Sequence, residues 1–252
     1  GAGATTSAAN VAWTLARLSE RRVLLADFDL TAGTINFLFK LTHNYSLLDA
    51  IKHSHQLDES LWGSLVASRR NLDILPAPEK PFTSPLEAYR VHECLEYARS
   101  IYEYVVIDLP SICDKVAMAT LNEADQIYVV TNPELATLFL ARKTLALMEE
   151  MGFQKEQVRV LVNRVQKREE LTLGDMEKIF RFPIHATFPN DYPSVRRALT
   201  EGNPVDEHCD LGAAYRRFAA GLAGVEKVAK KKGSLVGLRA LFGEHQLVKA
   251  DR

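Results

Sequence analysis

Six short runs of β-favouring residues recur along the chain, each closed by turn residues and parted from the next by a stretch of helical length. They are RRVLLADFD (Arg21 to Asp29), NLDILPAP (Asn71 to Pro78), YEYVVIDLP (Tyr102 to Pro110), ADQIYVVTNP (Ala124 to Pro133), QVRVLVNRV (Gln157 to Val165) and PIHATFP (Pro183 to Pro189). Val, Ile and Tyr fit a pleated surface, and the bounding Pro, Asn and Asp residues interrupt it. Several runs are apolar at consecutive positions, as strands buried on both faces are. Helices are expected between them at roughly 84–101, 114–123, 134–151, 171–180, 191–201 and 210–231, and the Pro-rich LPAPEKPFTSP reads as a loop. Such alternation builds βαβ units, so the chain is expected to form an α/β fold: a doubly wound, mostly parallel sheet with helices on both faces.

Ligands of such sheets bind beyond the carboxyl ends of the strands. The first run ends Asp27-Phe28-Asp29, two carboxylates that alternate, so that one approaches the site while the other faces away. The third ends Val105-Val106-Ile107-Asp108, an apolar strand closing on the carboxylate that holds magnesium in Walker B strands. Upstream of both stands GAGATTSAAN, of the form Gly1-x-Gly3-x-Thr5-Thr6, with Ala8, Val11, Ala12, Leu15 and Leu18 following at helical spacing. In a G-x-x-x-x-G-K-[ST] loop, glycines let backbone N–H groups converge on phosphate, the lysine reaches the outer phosphates and the hydroxyl ligates magnesium. Thr5 occupies the hydroxyl position, and Ala4 stands where the lysine belongs. Alone, the stretch reads equally as a Gly-rich helix start; its position ahead of two Asp-ended strands is what makes it specific. A phosphate loop follows a strand, so at least one strand is expected ahead of Gly1.

The segments GAGATTSAANVAWTLA, VLLADFDLTAGTINFLF, YVVIDLPS, VVTNPELATLFLARKTLALM, VLVNR and FPNDYPSVRRALTEGNPV resemble the MinD/ParA family of deviant Walker-A ATPases, over residues 1 to about 224. The family loop reads K-G-G-x-G-K-[ST]-[ST]; Gly1 matches its second glycine, and the signature lysine falls ahead of it. With Ala4 in place of the second lysine, the loop is similar to the CpaE/TadZ branch of type IV (Tad/Flp) pilus assembly, whose members carry a receiver-like domain before the ATPase domain. The resemblance implies ATP and Mg2+ as ligands. It implies that Gly1, Gly3 and Ala4 offer backbone N–H groups to phosphates, that Thr5, with Thr6 beside it, and Asp108 hold magnesium, and that Asp29 positions the attacking water. Asn163 and Arg164 match the adenine-recognition position, with Pro189 and Asp191 close to the base. A homodimer closing over two nucleotides is implied as well, with pilus-assembly or polar-localisation proteins as partners. Two other functions stay open: a spatial regulator of division, flagella or partition, and a non-hydrolysing nucleotide-binding scaffold.

At 252 residues, 47% of them hydrophobic, the chain can build one substantial core. Its net charge of −1 favours no nucleic-acid partner. Cys94, Cys113 and Cys209 lack any C-x-x-C pairing, which fits a reducing cytoplasm, and no signal peptide or run of about 18 apolar residues is present. His43, His53 and His55 match no metal spacing and read as surface residues, as Arg142, Lys143, Arg196 and Arg197 read as solvated helix faces. Trp13 and Trp62 read as packing residues. No G-x-S-x-G motif points to a hydrolase triad, and no G-x-G-x-x-G to a dinucleotide fold. Beyond an ATPase domain at 1–224, residues 225–252 read as a basic, amphipathic tail. Lys227, Lys230, Lys231 and Lys232 precede Leu235, Leu238, Leu241 and Phe242 at helical spacing. A segment of this kind, 227–242, suits the cytoplasmic-membrane surface, and it resembles the membrane-targeting tail of MinD; packing on its own domain or on a partner is the alternative.

Overall fold

The computed structural model, which describes residues 1–110, 115–168 and 170–224, places the Val-Leu-Leu-Ala run inside a parallel sheet. β1 (Val23–Asp27) is buried at every position, which its lack of apolar–polar alternation requires. On either side and parallel to it lie β3 (Leu72–Leu75) and β4 (Tyr104–Asp108), in a register that sets Asp27 opposite Asp108. β2 (Ala67–Arg69) pairs antiparallel with β3 and completes the order β2-β3-β1-β4. A second sheet, all parallel, has the order β5-β6-β7, from β5 (Ile127–Thr131), β6 (Val158–Val165) and β7 (Ile184–Pro189).

The helices are α1 (Ala4–Leu18), α2 (Ile35–Leu38), α3 (Leu47–Lys52), α4 (Glu59–Leu65), α5 (Ala88–Ile101), α6 (Lys115–Glu123), α7 (Leu135–Glu150), α8 (Leu173–Phe180), α9 (Tyr192–Glu201) and α10 (Asp210–Leu222). α1 and α10 share one layer. Ala12 and Leu15 of α1 and Tyr215 of α10 pack in a single core with Leu25 and Ile74 of the first sheet and Leu161 and Phe188 of the second. The opposite face is covered separately. Over the first sheet, Leu47, Ile51, Trp62 and Leu95 bury Leu24 and Ala26; over the second, Leu138, Leu145, Met176 and Phe180 bury Val129, Val160 and Val162.

The doubly wound α/β architecture is the one the alternation predicts, with differences in detail. The sheet comes in two hydrogen-bonded parts: among the described residues β4 pairs only with β1, and β5 only with β6. The helix expected from 84 begins at Ala88, because Pro85 disfavours helical geometry at the residue before it. The helix expected over 210–231 ends at Leu222, where Gly224 takes a left-handed φ of 63° beyond its last turn. Sequence reading missed α2, α3, α4 and β2. These are short, and two of the helices are fixed by local caps: a reciprocal Ser46–Asp49 box on α3 and Asp58 accepting from the Leu61 amide on α4. The tail at 225–252 lies outside the described residues.

Two buried polar links tie elements together. Asp73 of β3 accepts from the Tyr102 hydroxyl at 2.6 Å, the Ser68 hydroxyl at 2.5 Å and the Arg22 guanidinium at 3.1 Å, while Trp62 Nε1 donates to the Tyr102 oxygen at 2.9 Å. Asn10 of α1 donates from Nδ2 to the Thr6 carbonyl and accepts at Oδ1 from the Val205 amide, both at 2.8 Å.

Candidate functional site

Gly3 is the residue on which the opening loop turns. It caps α1 with φ 92° and ψ 26°, a left-handed conformation that costs any other residue about 1–2 kcal/mol, and a Cβ there would collide with the Asn163 amide. The first intrahelical bond runs from the Ser7 amide to the Gly3 carbonyl at 3.0 Å, so the amides of Ala4, Thr5 and Thr6 have no helical acceptor. No side chain caps this end, and its first turn holds no acidic residue. Uncapped N–H groups at the positive end of a fifteen-residue helix form a seat for an anion.

Three carboxylates meet that seat at the carboxyl edge of the first sheet. Asp108 ends β4, is buried, and faces the Thr5 hydroxyl, which favours its ionised form. Burial outweighs this and, with the charges of Asp27 and Asp29, pushes the Asp108 carboxyl up to about 6. Asp27 ends β1 with no exposed surface. Burial raises its pKa as well, and Asp29 adds to the rise, while donation from the Ile35 amide at 3.0 Å and the Asp29 amide at 3.2 Å pulls it back. A Cβ at Gly33 would press on the same carboxylate and on Ala77, so the loop between β1 and α2 closes this tightly only with glycine there. Asp29 sits half-buried at the rim. Its Oδ1 accepts from the Thr31 amide, the Thr31 hydroxyl and the Ala32 amide at 2.8–3.1 Å, which shapes its own turn.

The second sheet brings the other candidates to the same end. Asn163 of β6 is buried, and its Nδ2 donates to the Ala2 carbonyl at 2.9 Å, tying β6 directly to the loop. Arg164 follows, exposed, with a left-handed φ of 57° where the β6–β7 register shifts between Val162 and Val165. Pro189 closes β7 opposite Val165. Asp191 caps α9 by accepting from the Ser194 amide at 3.1 Å, and hydrogen bonding to Ser194 holds its pKa below the usual range.

All the sequence-predicted site residues therefore gather at the carboxyl ends of the strands. The loop with Thr5 stands over Asp108, and Asn163, Arg164, Pro189 and Asp191 lie along β6, β7 and the start of α9. The role of Asp27 escaped sequence reading; its signal was the two-residue spacing to Asp29 that ends a fully apolar strand. The chemistry present fits a phosphate with a divalent cation: free amides for the anion, and a hydroxyl beside a buried carboxylate with raised pKa for the metal. Elsewhere the surface readings hold. His53, His55, Arg142, Lys143, Arg196 and Arg197 are exposed, while His43 is half-buried with its ring edge-on to Tyr45. Among the described residues no three His, Cys, Asp or Glu side chains are placed to hold a metal ion by themselves, and no helix is long and apolar enough to cross a membrane.

A family model described as an AAA domain matches residues 1–160. The septum site-determining protein MinD of Thermotoga maritima is 29% identical over 81% of this chain and 77% of its own, and that of Escherichia coli K12 is 28% identical over 96% and 95%. Among solved structures, a ParA family ATPase from Chlorobium tepidum is similar with a TM-score of 0.81 at 28% identity, over 87% of this chain and 94% of its own.

Proposed function

The chain belongs to the MinD/ParA family of P-loop ATPases, and from that premise we propose that it binds ATP with magnesium at the Gly1–Thr6 loop as a nucleotide-dependent spatial regulator. The observation that carries this reading is the pairing of an uncapped helix start with the Thr5 hydroxyl set against buried Asp108. Backbone amides of Ala4, Thr5 and Thr6 bind phosphate oxygens, and Thr5 and Asp108 would hold the metal, which would neutralise phosphate charge. Asp29 orients the water whose oxygen bonds to the γ-phosphorus as the bond to the β-phosphate oxygen breaks, the water's proton passing to the phosphate or to solvent, leaving ADP and phosphate. Asn163 sets the loop, and Arg164, Pro189 and Asp191 border the base.

Ala4 contributes no ammonium group. A hydrogen bond between charged groups contributes about 1.5–3 kcal/mol, so its loss weakens ATP binding by roughly 10- to 100-fold and leaves binding measurable. Turnover depends on charge stabilisation throughout and is slow. ATP favours a face-to-face homodimer, the state that places a partner machine in the cytoplasm or at the inner face of its membrane. Among the machines such proteins position, Tad/Flp pilus assembly fits the Ala4 loop; division and partition are the alternatives within the same family.

A non-hydrolysing scaffold is the second reading, favoured by Ala4 and by the engagement of Asp29 Oδ1 in its own turn. Titration with ATP and magnesium, phosphate release and sedimentation separate the two. The ATPase reading expects millimolar or tighter binding that loses its magnesium dependence in Asp108→Ala, turnover that is abolished in Asp29→Ala, and more dimer in ATP than in ADP. Tight binding with neither turnover nor a mass change supports the scaffold, and absence of binding removes both.

A further inference from the structure

The two tryptophans of the chain have opposite settings. Trp62 is buried and donates its indole N–H to the Tyr102 oxygen. Trp13, in the third turn of α1, is half-buried. It packs against the core beneath that helix, and its N–H has no hydrogen-bond partner among the described residues. Two cavities meet at Trp13 and Arg17. One, of about 220 Å³, reaches Arg69 and Arg70 at the turn between β2 and β3; the other, of about 230 Å³, reaches Glu207 and Arg216 beside α10. A large ring that rests on the core and keeps an open polar handle is the kind of side chain that anchors interfaces.

Charge in this groove is one-sided. The two cavities carry four guanidinium groups and one carboxylate, and that carboxylate, Glu207, is taken by Arg17 at 3.3 Å. Arg69 is spent within the fold, on the carbonyls of Phe39 and Gly202. Arg70 and Arg216 are exposed and make no hydrogen bond or ion pair among the described residues. Arg70 also holds a left-handed φ of 57° in its two-residue turn, while Asn71 beside it, a residue type that adopts this conformation with less strain, does not. An unpaired cation kept at a strained position adds nothing to the packing of the fold and is available to a ligand.

The groove lies away from the nucleotide loop. Arg17 stands in the last turn of α1, about 18 Å along the helix from Thr5, and Arg70 leads into the amino end of β3, whereas Asp27 and Asp108 close the carboxyl ends of β1 and β4. We propose that this groove docks an acidic peptide segment of a partner protein, with an apolar side chain against Trp13 and carboxylates on Arg70 and Arg216 to either side. A guanidinium fork matches a carboxylate in a bidentate pair, and two cations set apart by an aromatic ring call for separate charges with an apolar residue between them. A nucleic-acid strand is a poorer match. Its charge is continuous, and it would run past Glu207 and the exposed Asp206 and Asp210, on a chain whose net charge is −1.

The test titrates the full chain at low salt with the peptide acetyl-Asp-Glu-Glu-Leu-Asp-Glu-amide, followed by tryptophan fluorescence and by calorimetry. A peptide with lysine at every acidic position and hexathymidylate serve as comparisons. The acidic peptide is expected to saturate at sub-millimolar concentration with a fluorescence change that is lost in Trp13→Phe, and the lysine peptide to give none. Affinity is expected to fall roughly tenfold or more in the double variant Arg70→Glu/Arg216→Glu, and to fall with added salt, while thermal unfolding and ATP binding of that variant stay as in the wild type. No saturation at millimolar peptide, or equal affinity in the double variant, overturns the proposal. Tighter binding of hexathymidylate with the same dependence on the two arginines overturns it in favour of nucleic acid. Should the double reversal unfold the chain, Arg70→Gln and Arg216→Gln replace it, each expected to weaken the acidic peptide by roughly threefold, and unchanged affinity in both overturns the proposal.

Discussion

Two buried acids in the first sheet, Asp73 on β3 and Asp108 on β4, have opposite surroundings. Asp73 accepts from a guanidinium and two hydroxyls, so its charge is compensated within the fold. Asp108 has the Thr5 hydroxyl for a partner and two further carboxylates for neighbours, and its pKa rises to about 6. Burial of a charge is costly unless the charge is paired. The first acid is thus complete as it stands and holds the fold together, while the second faces a hydroxyl and two carboxylates, a charge that the cation of the proposed function would compensate. Electrostatic satisfaction, more than burial, separates a structural carboxylate from one kept for a ligand.

The contrast is broken most severely at Asp73. Asp73→Ala strands Tyr102 and Ser68 without their acceptor and is expected to cost about 3 kcal/mol of stability by denaturant unfolding, with nucleotide affinity unchanged in the fraction that folds. A loss of nucleotide affinity as large as that of Asp108→Ala would erase the distinction.

The next effect is one of pH. With a folded pKa near 6 against 3.8 for the free carboxyl, the native state holds the Asp108 proton more tightly than the unfolded chain does. Its contribution is therefore most favourable below about pH 4 and is lost as pH rises through about 6, by on the order of 3 kcal/mol. Wild-type stability measured relative to Asp108→Asn should fall across that window, and a flat difference would show Asp108 already compensated. Saturating ATP and magnesium should flatten it.

At pH 7.5 without ligand, Asp108→Asn is expected to gain about 1–2 kcal/mol while losing magnesium-dependent binding, the trade between stability and function that such sites make. Reduced stability together with intact binding would exchange the roles of the two acids. The smallest effect sharpens the comparison from the second sheet: Asp191→Ala removes the α9 cap and should cost about 1 kcal/mol in thermal unfolding.

Sequence pattern reached the strands whose residues are apolar at consecutive positions, because burial on both faces is written in composition. It missed β2, where Ala-Ser-Arg carries no such pattern and pairing with β3 supplies the order. The gathering of the loop, Thr5, Asp29 and Asp108 at one sheet edge was legible because a glycine loop followed in chain order by two Asp-ended strands sets these residue types at strand ends. That Asp27 lies opposite Asp108 depends on strand register, and that Asn163 grips the Ala2 carbonyl depends on a contact between residues 161 apart in the chain. Local pattern does not encode such contacts.

Asn10 makes the first turn of α1 and the segment before α10 mechanically one piece. Its amide holds the Thr6 carbonyl at one end and its oxygen holds the Val205 amide at the other, the second of these bonds buried. A phosphate that draws the Thr6 turn inward must carry Val205 along, or leave a buried donor unpaired at a cost of about 1–3 kcal/mol. Under the proposed function, occupancy of the loop would be passed as strain to the stretch between α9 and α10 through this one side chain.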